Sequence, residues 1–203
     1  MMISETDRDR ISDAIRTAEA KTSGEIVCVL AETSSQPGAL PILIAAIVAL
    51  ALPWFLVGYT DFAVERILLL QVFVFVLLAI LLLLPPVYMA LIPRRARRAA
   101  AHRVAAEQFV VRGIARKKDR NGILIFVSLA EHYARIIADE GIAARIPQAE
   151  WQAAVDGLVA EMRAGRIAEG FIGAIGTCGD VLAAHFPRTP GSGDELPDRI
   201  YVI

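Results

Sequence analysis

The stretch at residues 39–92 constrains this chain more than any other feature. It holds three charged side chains, Asp61, Glu65 and Arg66, in a chain with 21 basic and 22 acidic ones. A helix rises about 1.5 Å per residue, so roughly 20 apolar residues cross the ~30 Å hydrocarbon core of a bilayer. Residues 40–59 and 67–92 each reach that length. The segment between them, 60–66, is too short to fold alone, so the spacing predicts a two-helix transmembrane hairpin. The chain before it and the chain after it then share one side of the membrane. Gln71 is the one polar side chain inside the spans besides hydroxyls, which suits a plain anchor better than an ion path.

Charge is unevenly placed. Residues 1–38 and 121–203 are net acidic, whereas 93–120 are strongly basic. Arg94, Arg95, Arg97, Arg98 and Arg103 follow directly on the second span. Lys/Arg excess beside a span stays cytoplasmic, so both termini and all the polar sequence are expected in the cytoplasm, with the hairpin in a bacterial inner membrane. The polar opening segment does not read as a cleaved signal peptide. The same five arginines lie where anionic headgroups are the nearest partner, each cation near such a surface contributing ~1 kcal/mol. The expected partners are thus the lipid bilayer and a membrane-protein complex, with no nucleic acid. Cys28 and Cys178 sit singly in apolar runs, as buried free thiols do, which argues against a disulfide framework or a Cys-rich zinc site.

The polar sequence reads as one α/β domain split by the hairpin. Residues 1–38 supply a first helix, with Ser4 and Thr6 as N-cap types and Ile11, Ala14, Ile15 and Ala18 at helical spacing, then a strand over 25–31. Residues 93–186 supply the remainder. A helix runs from 94 to 118, and strands follow at 123–129 and 133–138. One more helix opens at Pro147, carries Trp151, Val155, Leu158, Val159 and Met162 on a stripe, and closes at Gly165. A last helix over 167–186 has Gly170, Gly173, Gly176 and Gly179 at three-residue steps, which predicts close helix packing. Residues 187–203 form an extended tail. Strands separated by helices make this a small three-layer α/β/α sandwich.

The order of motifs resembles the TPM-domain family, in particular its short membrane-anchored bacterial branch. The resemblance lies in Thr22-Ser23-Gly24-Glu25-Ile26-Val27, in Asn121-Gly122-Ile123-Leu124-Ile125-Phe126-Val127-Ser128, in Arg135-Ile136-Ile137-Ala138-Asp139-Glu140-Gly141-Ile142, and in the ending Glu195-Leu196-Pro197-Asp198-Arg199-Ile200. It is related to thylakoid-lumen proteins of photosystem repair. The resemblance implies a Rossmann-like TPM-type domain, here interrupted by the transmembrane hairpin. It also implies phosphatase activity in some members, divalent-metal binding in others, and roles in the assembly or maintenance of membrane complexes.

Three acidic residues are the candidates for a divalent cation such as calcium or magnesium: Asp119, Asp139 and Glu140, which can converge at one sheet edge with the carbonyl of Asn121. Hard cations take several oxygen ligands. No phosphate loop, Gly-x-Ser-x-Gly elbow, His-Glu-x-x-His helix or Asp-x-Asp pair is present. His102, His132 and His185 lack metal-ligand spacing, and Glu25 reads as a surface ion-pair residue. The expectation is therefore a non-catalytic accessory or assembly subunit with no cofactor, a metal-dependent phosphatase being the alternative. Ile200, Tyr201, Val202 and Ile203 end the tail as an alternating bulky run that either docks on its own sheet or adds a strand to a partner.

Overall fold

The computed structural model describes residues 3–35, 38–116, 119–189 and 196–203, leaving aside the side chain of Arg116. Gln36 and Pro37 at the expected entry to the hairpin, Lys117 and Lys118 at the expected end of the basic helix, and residues 190–195 of the tail lie outside the described residues. The chain divides into two compact units, one made of residues 1–34 and 98–203, the other of residues 35–97.

The first unit is built on β1 (Glu25–Ala31), a Glu-Ile-Val-Cys-Val-Leu-Ala run whose seven residues are all buried. Such a strand must be covered on both faces. It lies between β2 (Gly122–Ser128) and β4 (Ile200–Val202), parallel to both, and β3 (Tyr133–Ala138) runs antiparallel on the far side of β2. Alternation along the strands sorts the side chains into two cores. Ile26, Cys28 and Leu30 join Ile123, Ile125, Val127 and Ile136 under α1 (Glu5–Glu19), α7 (Gln152–Arg163) and α8 (Ile167–His185). Val27, Val29, Ala31, Leu124 and Phe126 face the opposite way, against Ala101 and Ala105 of α5 (Arg94–Val111). The result is a mixed α/β fold with helices on both faces of a four-stranded sheet.

The second unit holds α2 (Leu40–Tyr59), α3 (Val64–Leu83) and α4 (Pro85–Leu91). Here the sequence reading needs correction. The second helix begins at Val64, taking Glu65 and Arg66 into its first turn, and it stops at Leu83 because Pro85 and Pro86 open a new short helix. The shielded residues of α2 include Ala45 and Ala49, four apart on one face, small enough for α2 and α3 to approach closely. Trp54, Phe55, Val57, Leu69 and Phe73 are left exposed, an apolar surface that water does not tolerate at this extent. Both α2 and α3 are long and apolar enough to cross a membrane, as a membrane protein requires. By length and composition α8 also qualifies, but Phe171, Ala174, Ile175, Cys178 and Leu182 are buried in the α/β core.

Other boundaries shift for local reasons. Ser4 caps α1, its hydroxyl accepting from Asp7 N at 3.1 Å. The basic helix ends at Val111 rather than 118, since Gly113 takes φ +81° and a 3₁₀ turn follows at Ile114–Arg116. Pro147 precedes a 3₁₀ turn, Gln148–Trp151, before α7 proper. A one-turn helix, α6 (Glu140–Ala143), follows β3, too short for helical periodicity to mark it in the sequence.

Candidate functional site

In parallel α/β sheets ligands bind outside the carboxyl ends of the strands. At that end of β1 and β2 the chain places Thr33, Ser34, Ser128 and Glu131. Glu131 is buried, 6% exposed, in the turn between β2 and β3. Its Oε1 accepts from Thr33 Oγ1 at 3.1 Å and its Oε2 from Ser34 N at 3.0 Å and from the Ser128 hydroxyl. The Ser34 and Ser128 hydroxyl oxygens are 2.7 Å apart. A buried carboxylate persists only when its lone pairs are used, and here both oxygens are taken by the segments that leave the two central strands. From the sequence alone Glu131 is given no role. The available signal was Ser128-x-x-Glu131 directly after an apolar strand, with Thr33-Ser34-Ser35 after the other.

The opposite end of β2 holds the residues singled out as cation ligands. Asp139 is buried, 3% exposed, and caps α6, its Oδ1 accepting from Glu140 N at 2.7 Å. The same oxygen lies 3.5 Å from the Arg120 guanidinium, which also stands 3.9 Å from Glu140 Oε2. Asp119 and Glu140 are exposed. Among the described residues no three His, Cys, Asp or Glu side chains come together as a metal would need. The Arg120 guanidinium thus stands beside Asp139, and among the described residues the three acids are not gathered into one metal-binding group. Two buried oxygens nevertheless lack a hydrogen-bond partner among the described residues, Asp139 Oδ2 and Asn121 Oδ1. Asn121 Nδ2 donates to the Ser23 carbonyl, tying this turn to the start of β1. Gly141 is required by a close approach: a Cβ there would stand 2.5 Å from the Arg120 carbonyl oxygen.

A third polar group lies beside the start of β1. Glu19, near the end of α1, accepts from Ile26 N through Oε1 at 2.7 Å. Burial, followed by the hydrogen bond and charge of Asp198 and the charge of Glu25, outweighs the Ile26 hydrogen bond and pushes the Glu19 carboxyl up to about 9. Glu19 is thus protonated at neutral pH. Asp198 is held by Arg16 at 3.7 Å. Glu25 is 3% exposed, not the surface group expected. Cys28 and Cys178 are buried free thiols, with burial pushing both up, Cys178 to about 12.

The tail docks on its own domain. Ile200, Tyr201 and Val202 pair with Cys28, Val29 and Leu30, and Ile203 exchanges backbone hydrogen bonds with Leu30 and Glu32. Tyr201 lies under the Arg112 guanidinium at 3.8 Å. His102 Nδ1 is 3.4 Å from an Arg135 nitrogen, His132 occupies a turn at φ 50°, and His185 closes α8.

Three comparisons with known proteins bear on this arrangement. The model of the TPM domain matches residues 87–181. A solved structure with a similar fold is the NMR structure of the BA42 protein from the psychrophilic bacterium Bizionia argentinensis. It has a TM-score of 0.63 and 21% identity over 98% of this chain and 94% of that one. Among curated proteins no match was found.

Proposed function

We propose, from the match of the TPM-domain model to residues 87–181, that the chain is a membrane-anchored, non-catalytic TPM-type module that helps to assemble or maintain a larger membrane complex. The observation that supports this reading is the carboxyl end of β1 and β2. There the polar side chains are committed to one another around Glu131, so the usual ligand position of the fold is used to brace the connections. The hairpin anchors the domain at an inner membrane, and the arginines after it argue for the cytoplasmic side. A protease added outside intact spheroplasts then leaves the carboxyl half uncut.

The decisive test is hydrolysis of a generic phosphate ester by the detergent-purified full chain with calcium, magnesium or manganese. The proposal expects no turnover above the protein-free rate, and a stoichiometric membrane-protein partner on cross-linking in native membranes. The phosphatase reading has one specific observation in its favour, the buried and unpartnered Asp139 Oδ2 and Asn121 Oδ1. Metal-dependent turnover that disappears in Asp139→Asn would establish it in place of the assembly role.

A further inference from the structure

The first turns of α5 carry Arg94, Arg95, Arg97 and Arg98, followed by Arg103. This is an unfavourable place for cations. The amino end of a helix carries partial positive charge, and acids are favoured there; α1 has Glu5 and Asp7 in its first turn, whereas α5 has none. Several arginines elsewhere are partnered: Arg10, Arg16, Arg120 and Arg166 face carboxylates, and Arg112 and Arg145 lie over aromatic rings. None of the five on α5 has an ion pair among the described residues. Arg97 Nε is shielded from water and has no acceptor among them.

The pattern along the helix sharpens the point. The stripe that buries Ala105 and Ala101 continues one and two turns earlier as Arg98 and Arg94. It thus changes from apolar to cationic within a single helix. Ala96 and Ala99 between the arginines are exposed and too short to obstruct the guanidinium groups. Arginine forks match phosphate oxygens in bidentate fashion, which lysine does not. In sequence this cluster follows α2, α3 and α4 directly.

We propose that the amino-terminal half of α5 binds the phosphate headgroups of anionic phospholipids, which supply the negative charge this helix start lacks. The site is independent of whether the α/β domain assembles or hydrolyses. It does rest on α2 and α3 being embedded in a bilayer, which carbonate extraction checks separately: release of the protein without detergent removes the hairpin reading itself.

The test is native mass spectrometry of the full chain in mild detergent, titrated with phosphatidylglycerol or with phosphatidylcholine of the same acyl chains. The expected result is at least tenfold tighter retention of phosphatidylglycerol, weakening steeply with salt. Each arginine changed to glutamine removes about fivefold. The combined Arg94→Gln, Arg95→Gln, Arg98→Gln and Arg103→Gln variant therefore treats the two lipids alike, and the corresponding lysine variant keeps part of the preference. Equal retention of the two lipids by the native protein overturns the proposal, as does salt-independent retention, so the outcome does not depend on the variant folding. Displacement of phosphatidylglycerol by millimolar inorganic phosphate also overturns it, since the site would then be one for soluble anions.

Discussion

The four glycines of α8 offer a test in which one substitution has opposite signs at different positions of a single helix. A Cβ on Gly179 would stand 2.7 Å from the Cβ of Ala18, whereas one on Gly173 or Gly176 would meet nothing within 4 Å. Glycine to alanine inside a helix contributes about 1 kcal/mol through propensity alone. At Gly173 that gain stands unopposed. At Gly179 the two helices must separate by about 1 Å to restore an ordinary 3.5–4.0 Å contact, and such overpacking costs about 1–3 kcal/mol. Gly173→Ala is thus expected to stabilise by about 1 kcal/mol, and Gly179→Ala to change stability by about 0 to −2 kcal/mol. For a domain of this size a kcal/mol moves the melting temperature by roughly 3–4 °C, which separates the two variants by about 9–12 °C where the full overpacking cost of about 3 kcal/mol applies. The assay is thermal unfolding of the detergent-solubilised full chain in a Trp54→Phe background, so that Trp151, 1% exposed in the α/β core, is the sole tryptophan reporter. A double-mutant cycle with Ala18→Gly should remove the Gly179→Ala penalty. Equal stabilisation by Gly173→Ala and Gly179→Ala would refute the stated spacing of α1 and α8.

The other expectations concern the polar clusters and the tail. Because the Glu19 carboxyl is raised to about 9 when folded from an ordinary 4.5, the folded state holds a proton that the unfolded chain releases between those values. Stability is then fully present below pH 4.5 and declines by up to about 1.4 kcal/mol per pH unit on the way to 9. Glu19→Gln flattens that dependence in denaturant titrations at pH 5 and pH 8, and an unchanged slope excludes the protonated state. Glu131→Ala strips the acceptor from Thr33, Ser34 and Ser128 and should cost about 2–4 kcal/mol, judged from about 1–3 for each buried group left unsatisfied; a melting temperature within 2 °C of native contradicts the bracing role. Deleting 196–203 removes Ile200 from the core and Tyr201 from Arg112, a loss of about 2–4 kcal/mol on area and contact grounds. Unaltered unfolding would mean the tail's docking contributes nothing to stability.

What could be read from the sequence was whatever depends on local pattern. The bounds of β1 and β3 follow from short apolar runs between turn residues, and α2 from an uninterrupted apolar length. The end of α5 was misplaced because Gly113 stands inside a run of good helix formers, and nothing in the order of residues announces its positive φ. Of the glycines expected to pack closely, Gly170 and Gly179 do, but Gly173 and Gly176 face open space; a three-residue step drifts around a helix with 3.6 residues per turn. The polar sites were harder still. Glu131 acquires its role from Thr33 and Ser34, 97–98 residues earlier, and Glu19 from Asp198 at the far end of the chain. Such partnerships are products of the parallel pairing of β1 with β2 and β4, which no local spacing encodes. Asp119, Asp139 and Glu140 are neighbours in the sequence of turns, but Arg120 stands beside two of them.

The same topology decides where the folding unit ends. The TPM-domain match begins at residue 87 and stops at 181, so it leaves out α1, β1 and β4. Yet β1 is the strand between β2 and β4, and its residues contribute to both cores. Without it, Ile123, Ile125 and Val127 lose neighbours on one face, Leu124 and Phe126 on the other, and the parallel edge of β2 is left unpaired. A fragment restricted to 87–181 is therefore expected to fail to fold, giving no cooperative unfolding transition and poor dispersion of amide NMR signals. A fusion of 1–34 to 98–203 through a short Gly-Ser linker keeps every strand and both helix layers. It should fold as a water-soluble domain, because the hairpin interrupts only the crossover from β1 to α5. Lengthening or shortening such a connection changes closure entropy slowly, by about 0.6 kcal/mol per doubling. If the 87–181 fragment unfolds cooperatively while the fusion aggregates, β1 is dispensable and the hairpin is a structural part of the domain.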